Sequence, residues 1–156
     1  MTDLDDLDSK IFRISWQNIN SGAHVIARNI EKEHDVEVII CKQNDVIVAS
    51  IVARLLDLPL CIVQTTPRQN GIIIECVPKF SKPIRSGEYN QPQAKVAIVT
   101  TMVDDGHNVE DLKVLYNSNK PTVHTVYARA NTTHPPDYHW VLIARGVNCI
   151  YPWEDK

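Results

Sequence analysis

Six stretches of this chain are near-continuous runs of β-branched and other apolar residues: VEVIIC (36–41), PLCIVQ (59–64), GIIIECV (71–77), KVAIVTT (95–101), TVHTVYAR (122–129) and HWVLIAR (139–145). A strand with one wet face alternates apolar and polar residues, whereas a run that is apolar on both faces needs cover on both. That requirement limits the fold more than any other feature. Between the runs lie stretches with helical spacing. SWQNINSGAHVIARNIEKEH places Ile19, Ala23, Ile26 and Ile30 on one face, with Ser15 positioned as N-cap. VIVASIVARLLDL is apolar nearly all round and reads as a buried helix, and NVEDLKVLYN reads as a third helix. Strands and helices alternating in this way predict an α/β domain, with a mostly parallel central sheet of about five strands flanked by helices.

A chain of 156 residues can bury a core as one domain spanning 1–156. The first ten residues, MTDLDDLDSK, read as a flexible acidic lead rather than a signal or transit peptide. Net charge is −3 with Lys and Arg scattered, so no basic face invites a nucleic acid. No apolar run approaches the ~20 residues that span a bilayer. Of the four cysteines, at 41, 61, 76 and 149, three sit in apolar runs and none forms a CxxC pair. They read as small buried hydrophobes in a reducing cytoplasm, not as a disulfide framework or zinc site. Six histidines without HxxxH or HxH spacing offer no metal site either.

Ligands of parallel sheets bind beyond the carboxyl ends of the strands, and two strand-to-helix turns qualify. In TTMVDDGHN, Gly106 lets backbone approach a ligand, and the following helix directs free N–H groups at the turn. Asn108 is placed to cap that helix, with Asp111 three residues on. Asp104 and Asp105 oppose bare phosphate contact, but either could act as a general base or meet a sugar hydroxyl. A capped acidic turn without a ligand is the plainer reading, and a lone loop histidine such as His107 is more often a surface residue. In CKQND, Lys42 offers a cation for an anion and Asp45 an N-cap; the plainer reading is a solvated turn. Arg129, at a strand end, can reach a ligand oxygen or simply be solvated. Near the end, Tyr151, Pro152 and Trp153 form an aromatic clasp able to stack on a planar ligand or to seal the core. Residues 78–94, with three prolines and a glycine, read as a long loop of the kind that is usually functional or mobile.

Five segments in order, RISWQNINSGAHVIARNI, ASIVARLL, VAIVTTMVDDGHN, YAR and YPWED, resemble the type I phosphoribosyltransferases. The likeness is strongest to the short bacterial xanthine-guanine (6-oxopurine) enzymes, and it runs from about Lys10 to Glu154. It implies the type I phosphoribosyltransferase fold with a flexible hood over residues 65 to 94. It also implies transfer of a phosphoribosyl group from phosphoribosyl pyrophosphate to a 6-oxopurine, Mg²⁺ as cofactor if the chain is catalytic, and a homodimer or tetramer. By position, Asp104 is the acid beside the purine N7, and Arg129 stands for the lysine that reads the 6-oxygen. Asp105, Gly106, His107 and Asn108 form the 5′-phosphate loop, and Lys42, Gln43 and Asn44 the pyrophosphate loop. Asn148 occupies the place of the aromatic that stacks on the base, with Tyr151 or Trp153 as substitutes.

The sequence departs from the family at working positions. Thr100 and Thr101 stand where two adjacent acids hold the ribose hydroxyls, and of the usual loop glycines only Gly106 is present. A threonine hydroxyl hydrogen-bonds but carries no charge, and lost electrostatic contributions of that kind cost ~3 kcal/mol each. Two functions follow: a divergent purine phosphoribosyltransferase, or a catalytically inactive nucleotide-binding or regulatory protein on the same scaffold, with a purine base or nucleoside monophosphate as ligand in either case.

Overall fold

The computed structural model describes residues 10–66, 71–77 and 94–154. The acidic lead and most of the hood expected over residues 65 to 94 lie outside the described residues. The order of elements is β1 (Ile11–Arg13), α1 (Trp16–Glu33), β2 (Val36–Lys42), α2 (Val46–Leu56), β3 (Leu60–Thr66), β4 (Gly71–Val77), β5 (Lys95–Val103), α3 (His107–Leu115), β6 (Thr122–Arg129), β7 (Tyr138–Ile143) and β8 (Asn148–Ile150).

The main sheet has six strands in the order β4-β3-β2-β5-β6-β7, one more than expected. All pairings are parallel except β3 with β4. Both faces are covered, as the continuous apolar runs require. On one face α1 and α2 supply Ile19, Ala23, Ile26, Ile30, Val48 and Val52 against Ile39, Ala97 and Val99; on the other, Val109 and Leu112 of α3 meet Val38, Ile40, Val96 and Ile98. Gly22 sets how closely α1 approaches the sheet, since a Cβ there would lie 2.5 Å from Val126 Cγ1. α2 is the buried helix its composition predicts, with Val48, Ala49, Val52 and Ala53 inside and Leu55 exposed.

Ser15 caps α1 as expected: its hydroxyl accepts from Asn18 N at 3.1 Å, and Asn18 Oδ1 accepts from Ser15 N at 3.0 Å. A second small sheet was not legible as strands, because each member is only three residues long. There β1 runs parallel to β8, with Ile11 opposite Asn148 and Arg13 opposite Ile150. Among the described residues no helix is long and apolar enough to cross a membrane.

The order of the main sheet changes direction between β2 and β5, the kind of crevice in which open α/β sheets bind ligands. The turns after β2 and β5 meet there.

Candidate functional site

The turn after β2 is a single 3-10 turn, Gln43–Asp45, entered from an extended Lys42. Asp45 occupies the N-cap position of α2, but its side chain does not cap it. Instead Asp45 Oδ1 accepts the backbone N–H of Thr101 at 2.9 Å, across the crevice between β2 and β5. The expectation of an Asp45 cap is corrected on this point: at φ −104°, ψ 6° its backbone is not the extended one from which a side chain reaches back to the helix N–H groups. Burial pushes the Asp45 carboxyl above the ordinary carboxylate range, opposed by the Thr101 hydrogen bond and by Lys42. The same carboxylate, after burial itself, helps push the Cys41 thiol up to about 12. Lys42 reaches α3, where its ammonium lies 2.9 Å from Asp111 Oδ2. Asp111 therefore serves an ion pair and not a capping box.

The turn after β5 is built differently from the expectation as well. The N-cap of α3 is Gly106, at φ +95°, rather than Asn108. Asn108 lies inside the first turn and donates from Nδ2 to Met102 O at 3.0 Å. Asp105 Oδ1 accepts the His107 N–H at 2.9 Å, so one of the free helix donors already holds an anion. The β6–β7 connection folds over the turn. His134 N donates to Asp105 O at 3.1 Å, and the His107 and His134 rings lie 5.1 Å apart. A Cβ on Gly106 would fall 2.3 Å from both Cβ and O of His134. Glycine is thus required twice here, by its φ and by this close approach.

Asp104 and Arg129 leave adjacent strands at their carboxyl ends and pair, with Arg129 Nε 3.3 Å from Asp104 Oδ1. Arg129 Nη1 also donates to the carbonyls of Ala144 and Val147, which holds the β7–β8 loop beside it. Cys149 lies near this pair; burial raises its thiol, with Arg129 opposing and Asp104 adding to the rise.

A cleft of about 580 Å³ opens at the crevice, lined by Lys42, Gln43, Asn44, Asp45, Ile47, Thr101, Met102, Asn108, Tyr151, Trp153 and Glu154. It gathers the whole pyrophosphate-loop group, one ribose-side threonine, one phosphate-loop residue and both base-side aromatics. Asp104, Asp105, Gly106, His107 and Arg129 stand outside its lining, along the rim formed by β5 and β6. Thr100 is buried in the sheet, its hydroxyl donating to Met102 O at 3.3 Å. Asn148 is exposed on β8, where its N–H donates to Lys10 O. The clasp is self-associated: the Tyr151 and Trp153 rings stack with centroids 4.9 Å apart and planes 2° from parallel, and Trp16 packs at 5.9 Å from Trp153. Glu154 Oε2 accepts Tyr151 N–H at 3.0 Å, which closes the turn that carries the stack. Burial pushes the Tyr151 phenol upward, Cys149, Asp45 and Glu154 adding to the rise.

The residues present do not fit a Mg²⁺ ion held by the protein. Thr100 and Thr101 offer only neutral hydroxyls, and among the described residues no three His, Cys, Asp or Glu side chains converge as a metal site. Sequence reasoning missed the Asp45–Thr101 link, the Lys42–Asp111 pair and the placement of His134. The first two join positions far apart in sequence, for which periodicity carries no signal. His134 precedes two prolines, which mark a loop without showing what it crosses.

Neither a protein-family model nor a curated protein sequence matches the chain. Solved structures do. A purine phosphoribosyltransferase from Pyrococcus horikoshii OT3 superposes with a TM-score of 0.63 at 19% identity, over 94% of this chain and 96% of that one. The type I phosphoribosyltransferase fold is the fold of this chain. The xanthine-guanine-hypoxanthine phosphoribosyltransferase of Helicobacter pylori is similar over 93% of this chain and 94% of its own, with a TM-score of 0.62 at 18% identity. A hypothetical protein from Neisseria gonorrhoeae with bound ppGpp reaches 0.67 at 13% identity, over 93% and 89% of the two chains. Within this phosphoribosyltransferase fold, the crevice between β2 and β5 is where the two departing turns converge.

Proposed function

We propose that the chain is a divergent purine phosphoribosyltransferase, binding a 6-oxopurine nucleotide at the carboxyl ends of β2, β5 and β6 and transferring the phosphoribosyl group slowly. The Asp104–Arg129 pair carries the reading. A carboxylate acceptor beside a guanidinium donor complements the N7–H and O6 edge of a free 6-oxopurine base, which presents a donor next to an acceptor. In the transfer, a base nitrogen bonds to ribose C1 as pyrophosphate leaves, and the proton shed by the imidazole ring can pass to Asp104. Lys42, Gln43 and Asn44 face the leaving pyrophosphate, and residues 105 to 108 the 5′-phosphate. The homodimer or tetramer implied by the resemblance belongs to the same proposal.

The test is a transferase assay with guanine or xanthine, phosphoribosyl pyrophosphate and Mg²⁺, alongside isothermal titration with GMP. Product should form well below the ~10 per second of a typical enzyme. Binding of GMP without any turnover would favour a second reading, a non-catalytic nucleotide-binding protein. Two observations support that alternative: the ribose-side positions Thr100 and Thr101 are neutral and buried, and the His107 amide is already held by Asp105. Failure to bind GMP at all would reject both.

A further inference from the structure

Two buried neutral threonines line the end of β5, with 1% of Thr100 and 4% of Thr101 exposed, yet a carboxylate arrives at the same place from another element. Asp45 comes from the turn after β2, faces the cleft, and is held there by the Thr101 amide at 2.9 Å. A carboxylate has about four lone-pair positions; that amide takes one, and the Thr100 and Thr101 hydroxyls also lie within hydrogen-bonding reach of it. The same cleft has the cation Lys42 at the same turn, and the stacked Tyr151 and Trp153 also line it. Carboxylate and aromatic face in one cleft correspond to the sugar and base of a nucleotide, with the Lys42 cation on the pyrophosphate side.

We infer that Asp45 is the ribose-binding acid of this protein: its carboxylate accepts the 2′- and 3′-hydroxyls of a nucleotide seated in the cleft, with the Thr101 amide fixing its position. The inference rests on the nucleotide reading above and deepens it. The acid has moved from the strand to the facing turn, across the crevice rather than along it. Its failure to cap α2 follows, because one side chain cannot both reach the helix N–H groups and span to β5. Burial disfavours the bare charge at Asp45, and two hydroxyl donors would restore the hydrogen bonds that water supplied.

Isothermal titration of the full chain with GMP and with 2′,3′-dideoxy-GMP tests the inference, on wild type and on Asp45→Asn. The asparagine keeps an oxygen for the Thr101 amide and loses the charge. Wild type should bind GMP at least about tenfold more tightly than the dideoxy analogue, as hydrogen bonds to a charged acceptor are strong. In Asp45→Asn that preference should shrink to within about threefold, with affinity for the dideoxy analogue nearly unchanged. Equal affinity of wild type for both ligands overturns the inference and leaves the nucleotide reading standing. Equal losses for both ligands in the variant overturn it too, because they are what a purely structural Asp45 would produce. No binding of either ligand by wild type overturns the inference and the nucleotide reading together. Should Asp45→Asn not fold, Asp45→Glu moves the charge by one methylene and should lose the same preference; retention of the preference overturns the assignment.

Discussion

Asp104 and Arg129 bridge the carboxyl ends of two neighbouring parallel strands, 3.3 Å apart from Oδ1 to Nε, and Arg129 at the same time holds the carbonyls of Ala144 and Val147. The exposed carboxylate is therefore oriented by a guanidinium that is itself anchored to a loop. Such an arrangement presents a fixed donor–acceptor edge rather than two freely moving charges.

Arg129→Met keeps an unbranched apolar stem at this position and removes the donors. If the guanidinium reads the purine 6-oxygen, the preference for GMP over AMP should fall by about 10- to 100-fold, the range for loss of a hydrogen bond in a specificity site. Titration with both nucleotides measures it. An unchanged ratio would show that Arg129 only holds the β7–β8 loop.

Thr100→Asp combined with Thr101→Asp restores charge at the end of β5. Turnover should rise by about tenfold or more, within what a regained electrostatic contribution supplies. Stability should drop, because both positions are nearly fully buried. A steady-state assay and a thermal melt read the two effects separately. Wild type should bind GMP more tightly than phosphoribosyl pyrophosphate, whose binding depends more on the missing acids. Unchanged turnover in the double variant would favour the non-catalytic reading.

Gly106→Ala adds a Cβ at φ +95°, where it meets His134 at 2.3 Å. Positive φ and the contact together should cost about 2–4 kcal/mol. Urea denaturation measures the loss. A midpoint equal to that of wild type would mean that residues 131–136 move off the turn at little cost.

His124 predicts a pH dependence remote from the cleft. It is wholly buried, stacks on Tyr138 at 4.8 Å, and lies 3.0 Å from the Thr122 hydroxyl and 3.3 Å from Glu33 Oε1. Because Thr122 donates to Glu33 Oε2, Nε2 of His124 is the donor in this group. Glu33 alone would favour protonation, but burial prevails and lowers the imidazole to about 4, with Asp137 opposing and Lys95 assisting. The unfolded chain, titrating near 6.5, binds the proton first. The contribution to stability is thus fully present above about pH 6.5 and is lost as pH falls toward about 4, by at most ~1.4 kcal/mol per pH unit. Unfolding free energies across that window should fall more gently in His124→Gln. An equal slope would assign the acid loss to other groups.

The elements legible in the sequence are those whose signal is local. Apolar runs on both faces identified the sheet, Ile19 to Ile30 identified the buried stripe of α1, and Ser15 its cap. The cap of α3 was misplaced by two residues because Asn108 is a common capping residue, whereas the true N-cap, Gly106, is selected by the crossing of His134. The acids and cations of the turns were visible, but their partners were not. Asp45 with Thr101, Lys42 with Asp111 and Asp104 with Arg129 each join separate turns or strand ends, and only the folded sheet brings those together.

The pairing of β1 with β8 also governs timing. It joins residues 11–13 to residues 148–150, a contact of very long sequence separation and so slow to form, because everything between them must be brought round. Tyr151 and Trp153, one wall of the cleft, ride on the turn directly after β8. β2, β5 and their helices can assemble before that contact forms, but without it the wall is not in place. Formation of that wall can be followed by tryptophan fluorescence, because it brings Trp153 to 5.9 Å from Trp16.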